Sequence, residues 1–226
     1  MMKITKSLLP FLILSLIHLI GEFLEIPVIH DGTKPLLIPA LGYYFWKECL
    51  NTPLNKFVYS ALFFSWLGDC FLIFVPMNGV FFLLGLGGFL MAHIIYIIMN
   101  INFVEEGQSQ LVFKWPALLM IIYGGLFFTN IIDSLGELMI PVAIYCAVIS
   151  IMGLTAVGRM KRTTKESFLL VLIGAFLFII SDSVIALNKF RGPVEFSGPI
   201  VMITYLAAQF LLVEGFRKFI LGLKHN

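Results

Sequence analysis

Apolar runs of helix length follow one another through nearly the whole chain, and they restrict the fold more than any other feature. An α-helix needs roughly 20 mostly apolar residues to cross a bilayer. Polar residues, prolines and glycines divide the runs into eight segments. The predicted segments are 7–25, 34–50, 56–76, 79–101, 112–132, 137–158, 166–188 and 197–220. This pattern predicts an all-α, polytopic membrane helix bundle with eight transmembrane helices.

The composition excludes a soluble domain and gives no sign of a nucleic-acid-binding protein. Of the 226 residues, 60% are hydrophobic and 12% are charged, whereas soluble domains are typically about 25% charged. The mean hydropathy is +0.99. The net charge of +2 comes without a long basic block, so we expect membrane lipids and no nucleic acid as partners. Because the longest loop has only about ten residues, residues 1–226 are predicted to form a single integral membrane domain.

The first apolar run, residues 8–20, has a cleaved signal peptide as its alternative interpretation. It follows two lysines, as such peptides often do. However, it has no small-residue cleavage site and runs directly into the polar stretch 22–25. We therefore interpret it as the first membrane span.

The basic residues predict the orientation. Lysine and arginine are enriched in cytoplasmic loops. If the N-terminus is cytoplasmic, all but three of the 15 basic residues lie inside, the exceptions being Lys34, Lys189 and Arg191. With an even number of spans, both termini are cytoplasmic. The predicted location is a multi-pass position in the inner membrane of a bacterium, or in the endoplasmic reticulum of a eukaryote.

Two aspartates, Asp69 and Asp182, lie inside apolar segments. A carboxylate at the centre of a membrane helix costs about 2.5 to 3.5 kcal/mol on insertion scales, and such residues usually face a cavity or the bundle interior. At 1.5 Å per residue, Asp69, Asp182 and Tyr205 lie roughly 9–12 Å below the outer boundary. The alternative is helix packing through hydrogen bonds, which neutral side chains would provide at lower cost. We interpret this shared layer as a functional site.

Other polar residues accompany this layer. His93 lies deeper, about 21 Å from the outer end of its segment, and is either a hydrogen-bonded core histidine or part of the site. Tyr205 and Gln209 are four residues apart, so they share one helix face. Ser181 precedes Asp182 and either tunes that carboxyl group or bonds back to its own helix.

A second polar group lies near the outer surface. His18, Glu22 and Glu25 share one face of the first segment. Thr33 is predicted to cap the second helix, which would place Lys34 at a helix start where N–H groups and the helix dipole favour a phosphate. The alternative is an ion pair of Lys34 with Glu22 or Glu25, which is worth little at a surface.

These residues resemble the YhhN-type lysoplasmalogenase family of eight-span membrane proteins. The matching positions run from the second segment to the eighth. They are Thr33-Lys34-Pro35, Pro39, Gly68-Asp69, Leu72, Gly85, Phe89, His93, Tyr96, Gly174-Ala175, Phe178, Ser181-Asp182, Tyr205 and Ala208-Gln209. The resemblance implies hydrolysis of the vinyl ether bond of a lysoplasmalogen to a fatty aldehyde and a glycerophosphoethanolamine or glycerophosphocholine. It implies no metal and no organic cofactor.

That reaction requires an acid and a group that stabilises a cation. Protonation of the alkene β-carbon gives an oxocarbenium ion, to which water adds. Two carboxyl groups in different environments can divide these tasks. We expect Asp69 and Asp182 to be catalytic, one as the acid and the other to stabilise the cation and activate water, with the assignment open. The lysophospholipid substrate is expected to be bound by Glu22, Lys34, His93, Ser181, Tyr205 and Gln209.

Three other functions remain as alternatives. An ion- or proton-coupled small-molecule transporter also uses intramembrane carboxylates. A metal-dependent hydrolase would use His18, His93, Asp69 and Asp182 as ligands, but their spacing matches no zinc signature and His93 is predicted to lie too deep. A structural scaffold would leave two ionisable groups in one layer without a role. The oligomeric state is left open.

Overall fold

The chain is all-helical. The structure, a computed structural model, describes residues 5–105 and 114–223. Within them lie eight α-helices: α1 (Leu9–Phe23), α2 (Pro27–Glu48), α3 (Asn55–Ile73), α4 (Val80–Asn102), α5 (Lys114–Ile131), α6 (Met139–Val157), α7 (Lys165–Phe190) and α8 (Ser197–Gly222). Two short 3₁₀ helices, Ile132–Ser134 and Gly136–Leu138, connect α5 to α6. The all-α prediction is confirmed.

Five of the helices in the described part of the chain are long and apolar enough to cross a membrane by length and composition. They are α3, α4, α7 and α8, together with Gly136–Val157, which contains α6. Leu9–Phe23 and Leu118–Ser134 are shorter apolar helices. The chain is therefore a multi-pass membrane protein.

Seven of the eight predicted segments agree with observed helices. Their first and last residues match to within three residues wherever the structure describes them.

The second segment is the exception, because α2 begins at Pro27 and not near Thr33. Proline suits the first position of a helix, where an N–H group has no partner in any case. Thr33 lies inside the helix, and its hydroxyl donates to the carbonyl of Ile29 at 2.7 Å. The prediction that Lys34 stands at a helix start is therefore wrong, and the helix dipole does not favour an anion there.

Two internal prolines, Pro35 and Pro39, do not end α2. Pro39 has no N–H group to donate to the carbonyl of Pro35 four residues earlier. The indole Nε1 of Trp66 on α3 donates to that carbonyl instead, at 2.9 Å. A contact between helices thus replaces the missing helical bond, which explains how the helix continues through a sequence that predicts a boundary.

The crossing of α3 and α4 fixes the position of the first aspartate. Gly88 faces Gly68 so closely that a Cβ atom at Gly88 would lie 2.8 Å from the Gly68 backbone nitrogen. Small residues allow membrane helices to approach in this way. Asp69 follows directly after this crossing, and its side chain reaches the Tyr205 hydroxyl of α8.

The core lies between α3, α4, α7 and α8, where aromatic rings fill the interior. Phe89, Tyr96, Phe178, Tyr205 and Phe216 are all buried there. By contrast, α5 lies at the periphery, with Trp115 75% and Ile121 70% exposed. Apolar side chains on such an outer face are suited to contact with lipid.

Candidate active site

Asp182 on α7 lies at the centre of the candidate site. Its Oδ2 atom accepts a hydrogen bond from the Tyr145 hydroxyl of α6 at 2.5 Å. The Nε2 atom of His93 on α4 lies 3.7 Å from the same oxygen. The Asp182 side chain is 11% exposed, so a small part of the carboxyl group remains accessible. Three helices therefore converge on one partly open carboxyl group.

His93 is fully buried beside this carboxyl group. Its ring packs edge-on against Phe178, with 4.7 Å between ring centroids, and against Tyr145, with 5.4 Å. Within the described residues neither ring nitrogen has a hydrogen-bond partner. The prediction that His93 lies too deep to meet the aspartates is wrong. Counting residues gives depth only when helices are parallel and end at one level, and here the count misplaced His93.

Asp69 on α3 has a matching partner. Its Oδ2 atom accepts a hydrogen bond from the Tyr205 hydroxyl of α8 at 2.6 Å. The residue is 2% exposed, which makes it more enclosed than Asp182. The structure therefore brings Asp69 and Tyr205, which lie 136 positions apart in the sequence, into direct contact.

Aromatic rings connect the two carboxyl groups. Phe178 packs edge-on against Tyr205, with 5.4 Å between centroids, and on its other side it contacts His93. The ring of Phe178 therefore lies between Tyr205, which donates to Asp69, and His93, which lies beside Asp182.

A narrow apolar cavity, partly open to the outside, adjoins Asp182. Its walls come from α4, α5, α6 and α7, with one residue from α3. The lining residues are Leu72, Phe82, Leu86, Phe89, Tyr123, Gly124, Phe127, Val142, Tyr145, Cys146, Ile149, Ser150, Asp182, Ser183, Ile185, Ala186 and Phe190. Asp182 is the only carboxyl group on this wall among the described residues, and Asp69 does not line the cavity. The remaining wall is mostly apolar.

A polar vestibule of about 870 Å³ lies next to the apolar cavity. The two spaces share the wall residues Leu72, Phe82 and Ile185. Beyond them, the vestibule is lined by Glu22, Lys34, Val75, Asn188, Lys189, Ser197, Gly198, Val201 and Met202. Charged and apolar compartments therefore adjoin each other, as an amphiphilic molecule requires.

Lys34 and Glu22 both line the vestibule, but they do not form the ion pair considered above. Among the described residues, no carboxylate oxygen of Glu22 or Glu25 lies within 4.0 Å of the Lys34 ammonium group. Glu22 is instead 3.5 Å from His18 Nε2, and His18 Nδ1 is hydrogen-bonded to Thr33 at 2.9 Å. Lys34 therefore faces the vestibule without a bound counter-charge.

Two other predicted site residues lie outside both spaces. The Ser181 hydroxyl donates to the carbonyl of Val201 at 3.2 Å and so connects α7 to α8. Gln209 is fully buried, and its side-chain oxygen accepts a hydrogen bond from the Tyr96 hydroxyl at 2.8 Å. Neither residue lines the apolar cavity or the vestibule. Both support the walls of the site and do not face its interior.

Sequence reasoning missed Tyr145 and Lys189. Tyr145 lies six residues into α6, about 9 Å along the helix, and the depth count used for the aspartates would have found it. Lys189 was used only to predict the topology, although it lines the vestibule.

The metal-dependent alternative needs a cluster of ligands, and among residues 5–105 and 114–223 no three His, Cys, Asp or Glu side chains form one.

The fold and site together define a class: a multi-pass helical membrane protein with two buried carboxyl groups beside an amphipathic cavity. Within that class, the chain belongs to the YhhN family, whose family model matches residues 29–216. The resemblance found in the sequence is therefore confirmed. The match begins inside α2, so α1 with its His18 and Glu22 lies before it.

Three curated relatives carry a functional name. The chain is 34% identical over 184 residues to bovine "Lysoplasmalogenase TMEM86A", covering 78% of this chain and 70% of that protein. It is 33% identical over 181 residues to the human protein of that name, with the same coverage. Human "Lysoplasmalogenase TMEM86B" is 26% identical over 188 residues, covering 79% of this chain and 71% of that protein. No solved structure matches the chain.

Proposed function

We propose that this protein is a membrane-embedded lysoplasmalogenase-type hydrolase, which cleaves the vinyl ether bond of a lysoplasmalogen to a fatty aldehyde and a glycerophosphoethanolamine or glycerophosphocholine. One observation carries the proposal: Asp182 lines an apolar cavity that adjoins a charged vestibule. We also propose that the chain crosses the membrane eight times with both termini in the cytoplasm. The membrane would be a bacterial inner membrane or the endoplasmic reticulum.

The two spaces accommodate the two ends of a single-chain lipid. The alkenyl chain enters the apolar cavity, and the phosphate lies in the vestibule beside Lys34. The glycerol then crosses the shared boundary at Leu72, Phe82 and Ile185. This placement brings the vinyl ether, which lies between the glycerol and the chain, to the level of Asp182.

Asp182 is the catalytic acid in this proposal, because it lines the cavity and Asp69 does not. Its protonated carboxyl group donates a proton to the β-carbon of the vinyl ether, and the electron pair of the double bond forms the new C–H bond. The ether oxygen then shares its lone pair with the α-carbon, giving an oxocarbenium ion. The Tyr145 hydroxyl holds the Asp182 carboxyl group in position.

Water completes the reaction. It adds to the α-carbon and loses a proton to the Asp182 carboxylate, so the acid is regenerated and a hemiacetal forms. The hemiacetal then breaks its bond to the glycerol oxygen, which takes up a proton as the new hydroxyl group. The balance is one water consumed, one aldehyde formed and one alcohol released.

Asp69 acts at a distance as an electrostatic and positioning residue. The Tyr205 hydroxyl fixes the orientation of its carboxyl group, and Phe178 packs against both Tyr205 and His93, the residue beside Asp182. Fixed charges and dipoles aimed at a developing charge stabilise it without reorganisation. A negative Asp69 therefore lowers the energy of the oxocarbenium ion, and His93 and Phe178 keep the space between the carboxyl groups free of bulk solvent.

The transporter alternative uses the same buried carboxyl groups to relay ions. A transporter would be expected to move a solute without changing it, whereas the curated relatives are named as enzymes. Those names support hydrolysis over transport.

Isotope labelling tests the reaction. Purified protein in D₂O, given a vinyl ether lysolipid, should yield an aldehyde with one deuterium on the carbon next to the carbonyl, trapped by immediate reduction and read by mass spectrometry. In H₂¹⁸O the glycerophospho product should carry no label, because the glycerol–oxygen bond stays intact. The saturated ether analogue should remain unchanged. Cleavage of that analogue, or ¹⁸O in the glycerophospho product, would contradict the proposed chemistry.

A further inference from the structure

Charged residues of both signs line the vestibule. Lys34 lines it from α2, Lys189 from the end of α7, and Glu22 from the end of α1. An anionic ligand alone would need only the lysines. A carboxylate in the same wall as two ammonium groups instead complements a ligand that carries a phosphate and a cation, as a zwitterionic headgroup does.

Glu22 is held in position for such a cation. His18 lies on one side, with Nε2 3.5 Å from the carboxylate, and is itself anchored to Thr33. On the other side, a Cβ atom at position 198 would lie 2.5 Å from Glu22 Oε2, so Gly198 leaves the space that the carboxylate occupies. Among the described residues, Glu22 has no lysine or arginine within 4.0 Å, which leaves it available to an external cation.

The walls of the vestibule distinguish between two kinds of ammonium. Quaternary ammonium groups are bound by cages of several aromatic rings, because they have no N–H to donate. Among the described residues that line the vestibule, Phe82 is the only aromatic one, and the ammonium of Lys189 already lies 5.3 Å from its ring centroid. A primary ammonium group, in contrast, forms short charge-assisted hydrogen bonds with a carboxylate.

We propose that the vestibule selects lysolipids whose headgroup carries a primary ammonium next to a phosphate, the chemistry of phosphoethanolamine. Glu22 binds the ammonium, and Lys34 and Lys189 bind the phosphate. This selection rests on the proposed function. Because Glu22 lies on α1, the choice of headgroup depends on a helix that precedes the stretch matched by the family model.

The test measures kcat/KM for three vinyl ether lysolipids with phosphoethanolamine, phosphocholine and unsubstituted phosphate headgroups. The wild type should prefer phosphoethanolamine over phosphocholine by roughly tenfold, the equivalent of one charge-assisted hydrogen bond. Glu22→Gln should remove that preference, because kcat/KM for the phosphoethanolamine lipid should fall to the value for the phosphocholine lipid. The matched control is Glu25→Gln, because Glu25 is exposed and lies outside the vestibule wall, and it should keep the wild-type pattern.

A second variant displaces the carboxylate without removing its charge. Gly198→Ala should reproduce the loss of preference, whereas Gly79→Ala, where a Cβ atom meets nothing within 4 Å, should have no effect. Failure of the wild type to cleave any of the three lipids would refute the proposed function itself. If all three are cleaved but Glu22→Gln and Gly198→Ala change the three rates equally or not at all, the headgroup selection is refuted and the hydrolase remains.

Discussion

Two buried groups of carboxyl side chains, one around Asp69 and Asp182 and the other around Glu214, differ in how completely their hydrogen-bonding capacity is satisfied. The carboxyl site contains Asp69 and Asp182, each of which accepts one tyrosine hydrogen bond, and Asp182 also lines the apolar cavity. The Glu214 cluster consists of Tyr44, Glu214 and Arg217, and none of these three residues lines the apolar cavity or the vestibule. A carboxyl group inside an apolar helix is therefore not diagnostic of function by itself. Its remaining hydrogen-bonding capacity and its access to a cavity distinguish the two roles.

The Glu214 cluster is saturated. Glu214 is fully buried. It accepts hydrogen bonds from Arg217 Nε and Nη2 at 2.7 Å each and from the Tyr44 hydroxyl at 2.7 Å. Arg217 also donates to the carbonyl of Glu48 at 3.3 Å. This network holds α2 against α8, and it leaves little capacity on the Glu214 carboxylate for a ligand.

Neutralising Asp182 should mainly lower activity, whereas neutralising Glu214 should mainly lower stability. Asp182→Asn should lower kcat by about a thousandfold, since it removes a general acid from the reacting bond, and it should leave thermal unfolding in detergent nearly unchanged. The measurements are single-turnover kinetics and a melting curve on the same preparation. Asp182→Asn protein that is fully folded and within tenfold of wild-type activity would remove Asp182 from the mechanism.

Glu214→Gln is the counterpart with the largest expected effect on stability. Removing one partner of a buried ion pair leaves the other charge uncompensated, which costs about 3 kcal/mol at the lower end of measured values. The variant should unfold at a lower temperature or denaturant concentration in detergent, while its activity per folded molecule stays close to wild type. A selective loss of kcat at unchanged stability would mean that the distinction between the two charged regions is wrong.

Much of this molecule could be predicted from its sequence. The apolar runs gave all helices apart from the beginning of α2, because hydrophobic length is a local property. The common depth of Asp69, Asp182 and Tyr205 predicted one polar layer, but it did not reveal which aspartate Tyr205 contacts. The sequence did not reveal that Trp66 replaces a missing helical bond in α2, or that His93 reaches Asp182, since both depend on how helices pack and tilt. Glu214 received no prediction, because a charge near the end of a long apolar segment resembles an ordinary boundary.

The two tyrosine–carboxyl pairs offer a matched test. Tyr145 donates to Asp182, and Tyr44 donates to Glu214. Tyr145→Phe should lower kcat by roughly tenfold to a hundredfold, since a hydrogen bond to a charged group is worth about 1.5–3 kcal/mol. Tyr44→Phe removes the same group, but it should reduce the free energy of unfolding by about 2 kcal/mol and leave kcat unchanged.

Both tyrosine variants should be compared under identical conditions, with kcat and unfolding measured for each. The expected result is a crossed pattern, in which one variant affects only activity and the other only stability. If both variants shifted kcat and stability to the same extent, the carboxyl site and the Glu214 cluster would form one cooperative unit.

The smallest expected effect concerns binding at the edge of the carboxyl site. Lys34 lines the vestibule, and among the described residues no counter-charge lies within 4.0 Å of it. Lys34→Gln should therefore raise KM by roughly fivefold and leave kcat unchanged. An effect of this size is expected when a partly solvated ion pair with the substrate is lost. Lys47→Gln is the control, because Lys47 is exposed and stacks on Trp46 at 4.1 Å. A drop in kcat at constant KM would instead mean that Lys34 stabilises the transition state, and would extend the reacting site into the vestibule.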